Sequence, residues 1–241
     1  QIRRGAGSYV AGESSAQMSS IEGRRAMPRL KRPRSVEKGL WAKPTTMNNV
    51  ETLAAIPKIV QKGGAWYGAI GPERSTGTKM YSVSGQVPRT IVVEVPFGST
   101  LRRVLEDGAG GVLPGHRFKA LQMDGSIGPI LPESFLDKPL DIDAFDREGG
   151  IVGSGGLVVL DERTCVVDQA KFSLRFLSEE SCDRCSTCRV GTRRLRDYLE
   201  RFSRGQGRLV DLDYILTLDK MLVANSHCGL GQAAGDPVRS A

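Results

Sequence analysis

No run in the 241-residue chain approaches the roughly 18 consecutive apolar residues of a membrane-spanning helix, which argues against direct membrane insertion. No charged-then-apolar leader opens it either, so no secretory signal is read and a cytoplasmic location is expected. Hydrolytic chemistry has no support, because no Ser/His/Asp triad, paired carboxylate site or reactive lone cysteine emerges. There are two histidines. His116, in a polar Pro-Gly-His-Arg loop, is expected to be exposed, and His227 reads as a bystander beside Cys228. The glycine-rich stretch 149–156 lacks the Lys-Ser/Thr of a P-loop and no suitable helix follows, so it reads as turns. Aromatics are scarce at 6%, and none is interleaved in the basic run Arg24, Arg25, Arg29, Lys31, Arg32 and Arg34. Pro28 and Pro33 also interrupt that run, so a nucleic-acid partner is not expected. A net charge of +7 concentrated in this way suits a loop that lines an anionic cofactor site or docks an acidic partner.

Composition is otherwise that of an ordinary globular protein, 39% hydrophobic and 25% charged, long enough for one large domain or two to three small ones. Its most specific chemistry is cysteine. Cys182, Cys185 and Cys188 form a C-x2-C-x2-C run, and Cys228 follows after a gap of 39 residues. Thiolates are soft, strong metal ligands, and three spaced one short turn apart can converge on one face of a cluster that a distant fourth closes. Structural zinc more often takes two separate C-x2-C pairs, so three plus one favours a four-iron cubane, with zinc and metal-free cysteines as the alternatives. Cys165 has no thiol neighbour in sequence and reads as a small buried hydrophobe.

Along the chain, Gly5, Gly7 and Gly12 surround the apolar Tyr9, Val10 and Ala11, a composition that suits either a strand-to-helix junction beside a phosphate or flavin, or a plain turn. Thr46 or Asn49 is placed to cap a helix running through Val50, Leu53 and Ile56 to Val60. Strands are expected over 79–87, 90–95, 118–123 and 157–160, with a helix capped by Ser99 or Thr100 and stopped by Gly108. That order suggests a small β-grasp-like module. The C-terminal part reads as helical: 167–177, a second helix opened by Thr192, and a third with Asp211 as an acceptable cap and Leu212, Ile215, Leu216 and Leu222 facing inward. Together these make a small bundle with a cluster at one end.

Several stretches, read jointly, carry a family likeness. Arg4-Gly-Ala-Gly, Gly12-Glu13, Ile21-Glu-Gly-Arg, Lys43-Pro-Thr-Thr-Met-Asn-Asn-Val-Glu-Thr-Leu53, Glu180-Ser-Cys-Asp-Arg-Cys-Ser-Thr-Cys-Arg-Val-Gly-Thr192 and Cys228-Gly-Leu-Gly231 resemble the NADH-binding flavoprotein subunit of respiratory complex I. The same subunit type occurs in soluble NAD(P)-linked hydrogenases and formate dehydrogenases, and the wording around Asp161–Cys165 and Cys228–Gln232 is closer to those soluble members. The resemblance implies an α/β plus α architecture. Residues 1–72 would form the C-terminal part of a Rossmann-like flavin and nucleotide domain, 73–163 a β-grasp domain of the soluble-ligand-binding type, and 164–241 an iron-sulfur helical bundle.

It further implies electron transfer between NAD(H) or NADP(H), FMN and a 4Fe-4S cluster, with a 2Fe-2S ferredoxin-like subunit and a larger iron-sulfur subunit as partners. Tyr9, Gly12, Glu13, Asn48, Asn49 and Thr52 would lie in the flavin and nucleotide pocket, with Glu13 the catalytic carboxylate. Cys182, Cys185, Cys188 and Cys228 would hold the cluster. The family's glycine-rich flavin motif is expected upstream of Gln1 and its C-terminal helix beyond Ala241, so the chain is expected to carry only part of the flavin pocket. A non-catalytic iron-sulfur relay or scaffold is the competing expectation. Ser14 stands where the family has a second glutamate, and a hydroxyl beside added arginines would ease repulsion of a 2′-phosphate.

Overall fold

A computed structural model describes residues 2–5, 7–30, 32–142 and 152–241. In chain order the longer helices are α1 (Ser14–Ile21), α2 (Val50–Lys62), α3 (Val166–Glu179), α4 (Ser186–Ser203) and α5 (Leu209–Asn225). The strands are β1 (Thr78–Gly85), β2 (Ile91–Pro96), β3 (Phe118–Met123), β4 (Ile130–Pro132) and β5 (Gly156–Asp161). The chain is thus mixed α/β. It divides into two compact units, one of Gln1–Asn48 with Lys171–Gly235 and one of Asn49–Ala170 with Asp236–Ala241.

The second unit is built on one five-stranded mixed sheet in the order β2-β1-β5-β3-β4. β1 runs parallel to β5 and antiparallel to β2, while β3 pairs antiparallel with both β5 and β4. Alternation explains the buried face: Tyr81 and Val83 on β1, Leu121 and Met123 on β3, and Leu157 and Val159 on β5 all enter one core. Leu101, Val104 and Leu105 close over it. The connection carrying them is capped by Thr100, whose Oγ1 accepts from Arg103 N at 3.2 Å. It widens after Leu101–Arg103 into a π-turn over Val104–Ala109.

The helix therefore does not stop at Gly108; it ends at Gly110, in the left-handed region at φ 85°. Gly108 is needed for a different reason, since a Cβ there would sit 3.1 Å from Val93 of the neighbouring strand. β1 likewise ends at Gly85 rather than Val87. Its φ of 91° and the 2.4 Å approach of Val159 O to a would-be Cβ bend the chain away, leaving Val87 to pack into the core. β4 is only three residues long and shows no alternation to read. Of the glycine-rich stretch, 149–151 lie outside the described residues, and 152–155 form turns leading into β5. Asn49 does cap α2, its Oδ1 accepting from Glu51 N at 2.8 Å.

The first unit is helical, with no strand among its described residues. At its start the glycines do not mark a strand-to-helix junction: Tyr9–Gly12 is a single 3-10 turn leading into α1. α4 and α5 pack together, with Leu195 and Leu199 of α4 and Ile215 and Leu222 of α5 buried, and Leu174 and Leu177 near the end of α3 are buried as well. Gly191 permits the closest approach, since a Cβ there would lie 3.0 Å from Leu222.

Two helix starts differ from the sequence reading. α4 begins at Ser186, and Thr192 sits inside it, fully buried, with Oγ1 donating to Cys188 O at 2.8 Å. A threonine satisfied by the carbonyl four residues back continues a helix instead of opening one. α5 begins at Leu209, so Asp211 lies in its first turn and reaches back to accept from Arg208 N at 2.9 Å. Its buried carboxylate also meets Arg201 at 2.9 Å, which with Arg208 lowers its pKa against the opposing and largest influence of burial.

One buried group in the sheet core is unsatisfied: the Tyr81 hydroxyl has no hydrogen-bond partner among the described residues. Burial, and secondarily the Glu51 charge, push that phenol upward, so it stays neutral. Tyr81→Phe should therefore be neutral or raise stability by about 1 kcal/mol, whereas Leu157→Ala in the same core should lower it by about 2–5 kcal/mol. Urea denaturation of both variants checks this, and a Tyr81→Phe loss comparable to that of Leu157→Ala would contradict it.

Candidate metal centre

The four cysteines all belong to the first unit, and secondary structure positions each of them. Cys182 follows the end of α3, in a loop where Asp183 takes a left-handed φ of 61°. Ser181 Oγ steadies that loop, accepting from Asp183 N at 3.2 Å and lying 3.5 Å from Cys188 Sγ. Cys185 occupies the N-cap position of α4 and Cys188 its first turn. Cys228 precedes the turn Gly229–Gln232, to which the end of α5 leads. Thr187 Oγ1 donates to Asn225 O at 3.3 Å, tying the head of α4 to the tail of α5. Gly231 lets the two cysteine loops meet: a Cβ there would come within 2.5 Å of Ser226 Oγ and 3.1 Å of Cys188 Cβ.

Burial pushes the Cys188 thiol up to about 11, against the Ser181 hydroxyl, and the other three cysteines push it the same way. Cys228 is also raised by burial, opposed by the backbone N–H groups of Leu230 and Gly231. These thiols give up their protons readily only to a positive partner, which a metal supplies. Spacing bears on which metal. Thiolates around one tetrahedral zinc lie about 3.8 Å apart, given a Zn–S bond near 2.3 Å. Among the described residues, the cysteine sulfurs do not form a group of three within 4.8 Å of one another. Buried polar atoms without partners among the described residues, Ser226 Oγ and His227 Nδ1, stand beside Cys228, as donors to cluster sulfur would.

A cleft of about 1340 Å³ adjoins this centre within the same unit, reaching from the start of α1 and the loop after it to Arg184 and Cys228. Glu22 organises its wall. Its carboxylate accepts from Trp41 N at 2.7 Å and pairs with Arg29 at 2.6 Å. The Trp41 N–H is the largest influence on Glu22, and with the nearby Arg29 and Arg24 it lowers the pKa despite partial burial. Arg25 donates to Cys182 O at 3.2 Å and Arg184 to Pro28 O at 2.5 Å, so the basic loop is laced to the cysteine loop.

Comparison with known proteins agrees with this pairing of a metal centre and a cleft. Residues 168–241 match the NADH-ubiquinone oxidoreductase-F iron-sulfur binding region, and residues 1–58 match the Nuo51 FMN-binding domain. The F 2 subunit of NADH-quinone oxidoreductase from Rhizobium meliloti is 43% identical over 100% of the chain and 57% of its own length. HndC of the NADP-reducing hydrogenase from Solidesulfovibrio fructosivorans is 40% identical over 100% of the chain and 49% of its own. By sequence the chain is similar to these F-type subunits. A solved NAD+-reducing NiFe-hydrogenase in the H2-reduced state superposes with a TM-score of 0.89 at 36% identity, over 98% of this chain and 40% of that one. The chain spans about half the length of the curated relatives it matches. No helix among the described residues is long and apolar enough to cross a membrane.

The structure divides the six residues expected around flavin and nucleotide. Tyr9, Gly12, Glu13 and Asn48 fall in the first unit with the cysteines, and Asn49 and Thr52 in the second. Tyr9 is half-exposed, its N–H donating to Glu180 at 2.9 Å and its ring edge-on to Phe176 at 5.0 Å. Glu13 lines the cleft and caps α1, accepting from Ala16 N at 2.8 Å and Ser15 Oγ at 2.6 Å. Asn48 and Thr52 are exposed. His227 lines the cleft as well. Sequence reading missed Glu22, Trp41 and Arg184, whose roles depend on contacts between segments far apart in the chain. Cys165 is exposed, not the buried small residue expected: it precedes α3 on a turn instead of facing the helix core.

A second candidate lies in the other unit, where ligand atoms of His116, Asp161 and Glu162 fall within 4.8 Å of one another. Its oxygens are already taken. Arg163 holds the buried Asp161 carboxylate at 2.6 and 3.0 Å, Arg117 N donates to Glu162 at 2.7 Å, and His116 Nδ1 lies 3.0 Å from Glu162 Oε1. This is a clasp closing the loop before β3 onto the end of β5, and it leaves His116 half-buried rather than exposed. His116 first, then the Arg117 N–H, hold Glu162 at about 2, below its ordinary 4.5.

A depressed carboxylate stabilises the fold above its ordinary range and loses that contribution as pH falls toward the folded-state value. The stability gap between wild type and Glu162→Gln should therefore be present at pH 6 and shrink steadily between pH 4.5 and 2; a gap independent of pH would contradict the clasp. In the metal centre, Gly231→Ala should cost about 1–3 kcal/mol through overpacking. Denaturant titration measures it, and an unchanged midpoint would show that Ser226 moves aside.

Proposed function

We propose that the chain is the cluster-bearing, nucleotide-linked part of an electron-transfer flavoprotein subunit, moving electrons between NAD(P)H, FMN and a 4Fe-4S cluster. The observation that carries this is the gathering of four thiols at the meeting of α4, α5 and the Cys228 turn, beside a cationic cleft in the same unit. FMN bound with the cluster would supply the change from two-electron hydride chemistry to single-electron steps. The chain's own residues do the rest. Cys182, Cys185, Cys188 and Cys228 hold the cluster, and Ser181 Oγ and the N–H groups of Leu230 and Gly231 offer hydrogen bonds to its thiolates. Tyr9, Gly12, Glu13, Asn48, Asn49 and Thr52 are assigned to the flavin and nucleotide pocket, with Glu13 the carboxylate nearest the chemistry.

The finer architecture proposed is a partial Rossmann-like segment over 1–72, a β-grasp domain over 73–163 and an iron-sulfur bundle over 164–241. The mixed sheet crossed by the 101–109 connection supports the second, and the α4 and α5 pairing supports the third. A ferredoxin-like 2Fe-2S subunit and a larger iron-sulfur subunit are the proposed partners. We favour a soluble hydrogenase or formate dehydrogenase type of complex over the respiratory one. The wording of Asp161–Cys165 and the likeness to the NAD+-reducing hydrogenase support that choice. A relay without flavin is the second reading, because only Glu13 of the six assigned pocket residues lines the cleft.

Metal and flavin analysis of anaerobically purified full-length protein separates these readings. About four irons per chain, broad visible absorption and bound FMN are expected, with NAD(P)H-driven dye reduction. Cys228→Ser should remove at least half of the iron and the dye reduction. Iron without flavin supports the relay, and one zinc per chain without iron defeats both.

A further inference from the structure

Within the first unit the cleft carries more positive charge than its own carboxylates balance. Arg24, Arg29, Arg32, Arg34, Lys38 and Arg184 line it. Glu13 and Glu22 are the carboxylates facing them, which leaves a surplus of four. Both acids are engaged: Glu22 with Arg29 at 2.6 Å and Arg24 at 3.8 Å, and Glu13 in capping α1. The side chains of Arg32, Arg34 and Lys38 have no carboxylate partner among the described residues, and all three are exposed toward solvent.

An aromatic side chain lies among them. Trp41 is 61% exposed and lines the same cleft. Its backbone and that of Ala42 are left-handed, at φ 51° and 59°. Non-glycine residues are uncommon in that region and persist where surrounding structure over-determines them. In this wall the determinant is the Trp41 N–H bond to Glu22. A basic loop alone would read as a solvated face. Unpaired guanidinium groups, an indole held on strained backbone and concave walls together describe a place for a phosphorylated aromatic ligand.

We propose that this cleft selects a nicotinamide dinucleotide bearing a 2′-phosphate, with Arg32, Arg34 and Lys38 forming the site for the extra phosphate and Trp41 a stacking face. The inference rests on the nucleotide-linked reading above and deepens it by naming the nucleotide. Charge decides between the two forms. The pyrophosphate bridge of a dinucleotide carries about two negative charges, and a 2′-phosphate adds about 1.5–2 more at neutral pH. The phosphorylated form offsets more of the surplus of four than the unphosphorylated one does. Arginine forks also suit a terminal phosphate, whose three free oxygens accept paired N–H bonds.

The test uses the full-length protein in its native complex, titrated calorimetrically at low salt with ADP-ribose and with 2′-phospho-ADP-ribose. The phosphorylated probe should bind at least tenfold more tightly, and the advantage should shrink as salt is raised. The double variant Arg34→Gln with Lys38→Gln, both changes at exposed side chains, should cut that ratio below threefold. It should also lower the ratio of kcat/KM for NADPH over NADH at least tenfold in dye reduction. Equal binding of the two probes overturns the inference, and if NADH still reduces the dye the functional reading stands without it. Selective binding of the phosphorylated probe with no dye reduction by either nucleotide supports this site and overturns the functional reading instead. A double variant that keeps the wild-type preference assigns the selectivity elsewhere and overturns the residues named.

Discussion

On the proposed reading, burial of thiols that must become thiolates is the constraint on which the first unit depends. Packing Cys188 and Cys228 between α4, α5 and the Cys228 turn removes water that would solvate a negative sulfur, and each thiol makes the others harder to ionise. The fold sets donors against this: the Ser181 hydroxyl, and the N–H groups of Leu230 and Gly231 at the start of a turn. Those donors reduce the penalty without removing it. On that reading the remaining positive charge comes from what the cysteines bind, which couples the metal to the helix packing. Gly231 and Gly191 belong to the same constraint, because each lets backbone approach where a side chain would hold the cysteine loops or the helices apart.

The same logic, with sign reversed, governs the cleft. Cations held near one another need an anionic counterpart, and the chain supplies one well-placed carboxylate, Glu22, which fixes Arg29 and orients Trp41. Arg25 and Arg184 direct their donors to backbone carbonyls, tying the basic loop to the cysteine loop without neutralising it. The unit therefore holds buried thiols whose ionisation calls for positive charge and, in the cleft that Cys228 also lines, uncompensated cations that call for negative charge. On the proposed reading this accommodates two ligands of opposite sign.

How much of this was legible in sequence depended on the range of the interactions. Local signals read well. The Cys-x2-Cys-x2-Cys spacing, the Asn49 cap, and the alternation that places Tyr81 and Val83 on one face all act within a few residues. Boundaries failed where a distant contact decided them. Gly85 ends β1 because Val159 approaches it, and Gly108 serves Val93; Thr192 was misplaced for a local reason, a buried i−4 bond that continues α4. Asp211 reads from sequence as the cap itself and lies instead inside the first turn, because a capping box looks the same from the cap or from its third residue. Trp41 and Glu22 were not legible at all: their partnership spans a 19-residue separation with no periodicity to announce it.

Charge placement links the two halves of the site on the proposed reading. Four thiolates around an iron-sulfur cluster leave it net negative, and nearby cations favour the state with one electron more. Arg25 reaches the Cys182 carbonyl and Arg184 lies in the cysteine loop itself, while Arg32, Arg34 and Lys38 line the cleft. A phosphorylated ligand entering the cleft neutralises part of this field, so an occupied cleft and an electron-rich cluster compete for the same cations. Binding of nucleotide and charging of the cluster are then coupled through electrostatics alone, with no movement of the helices required.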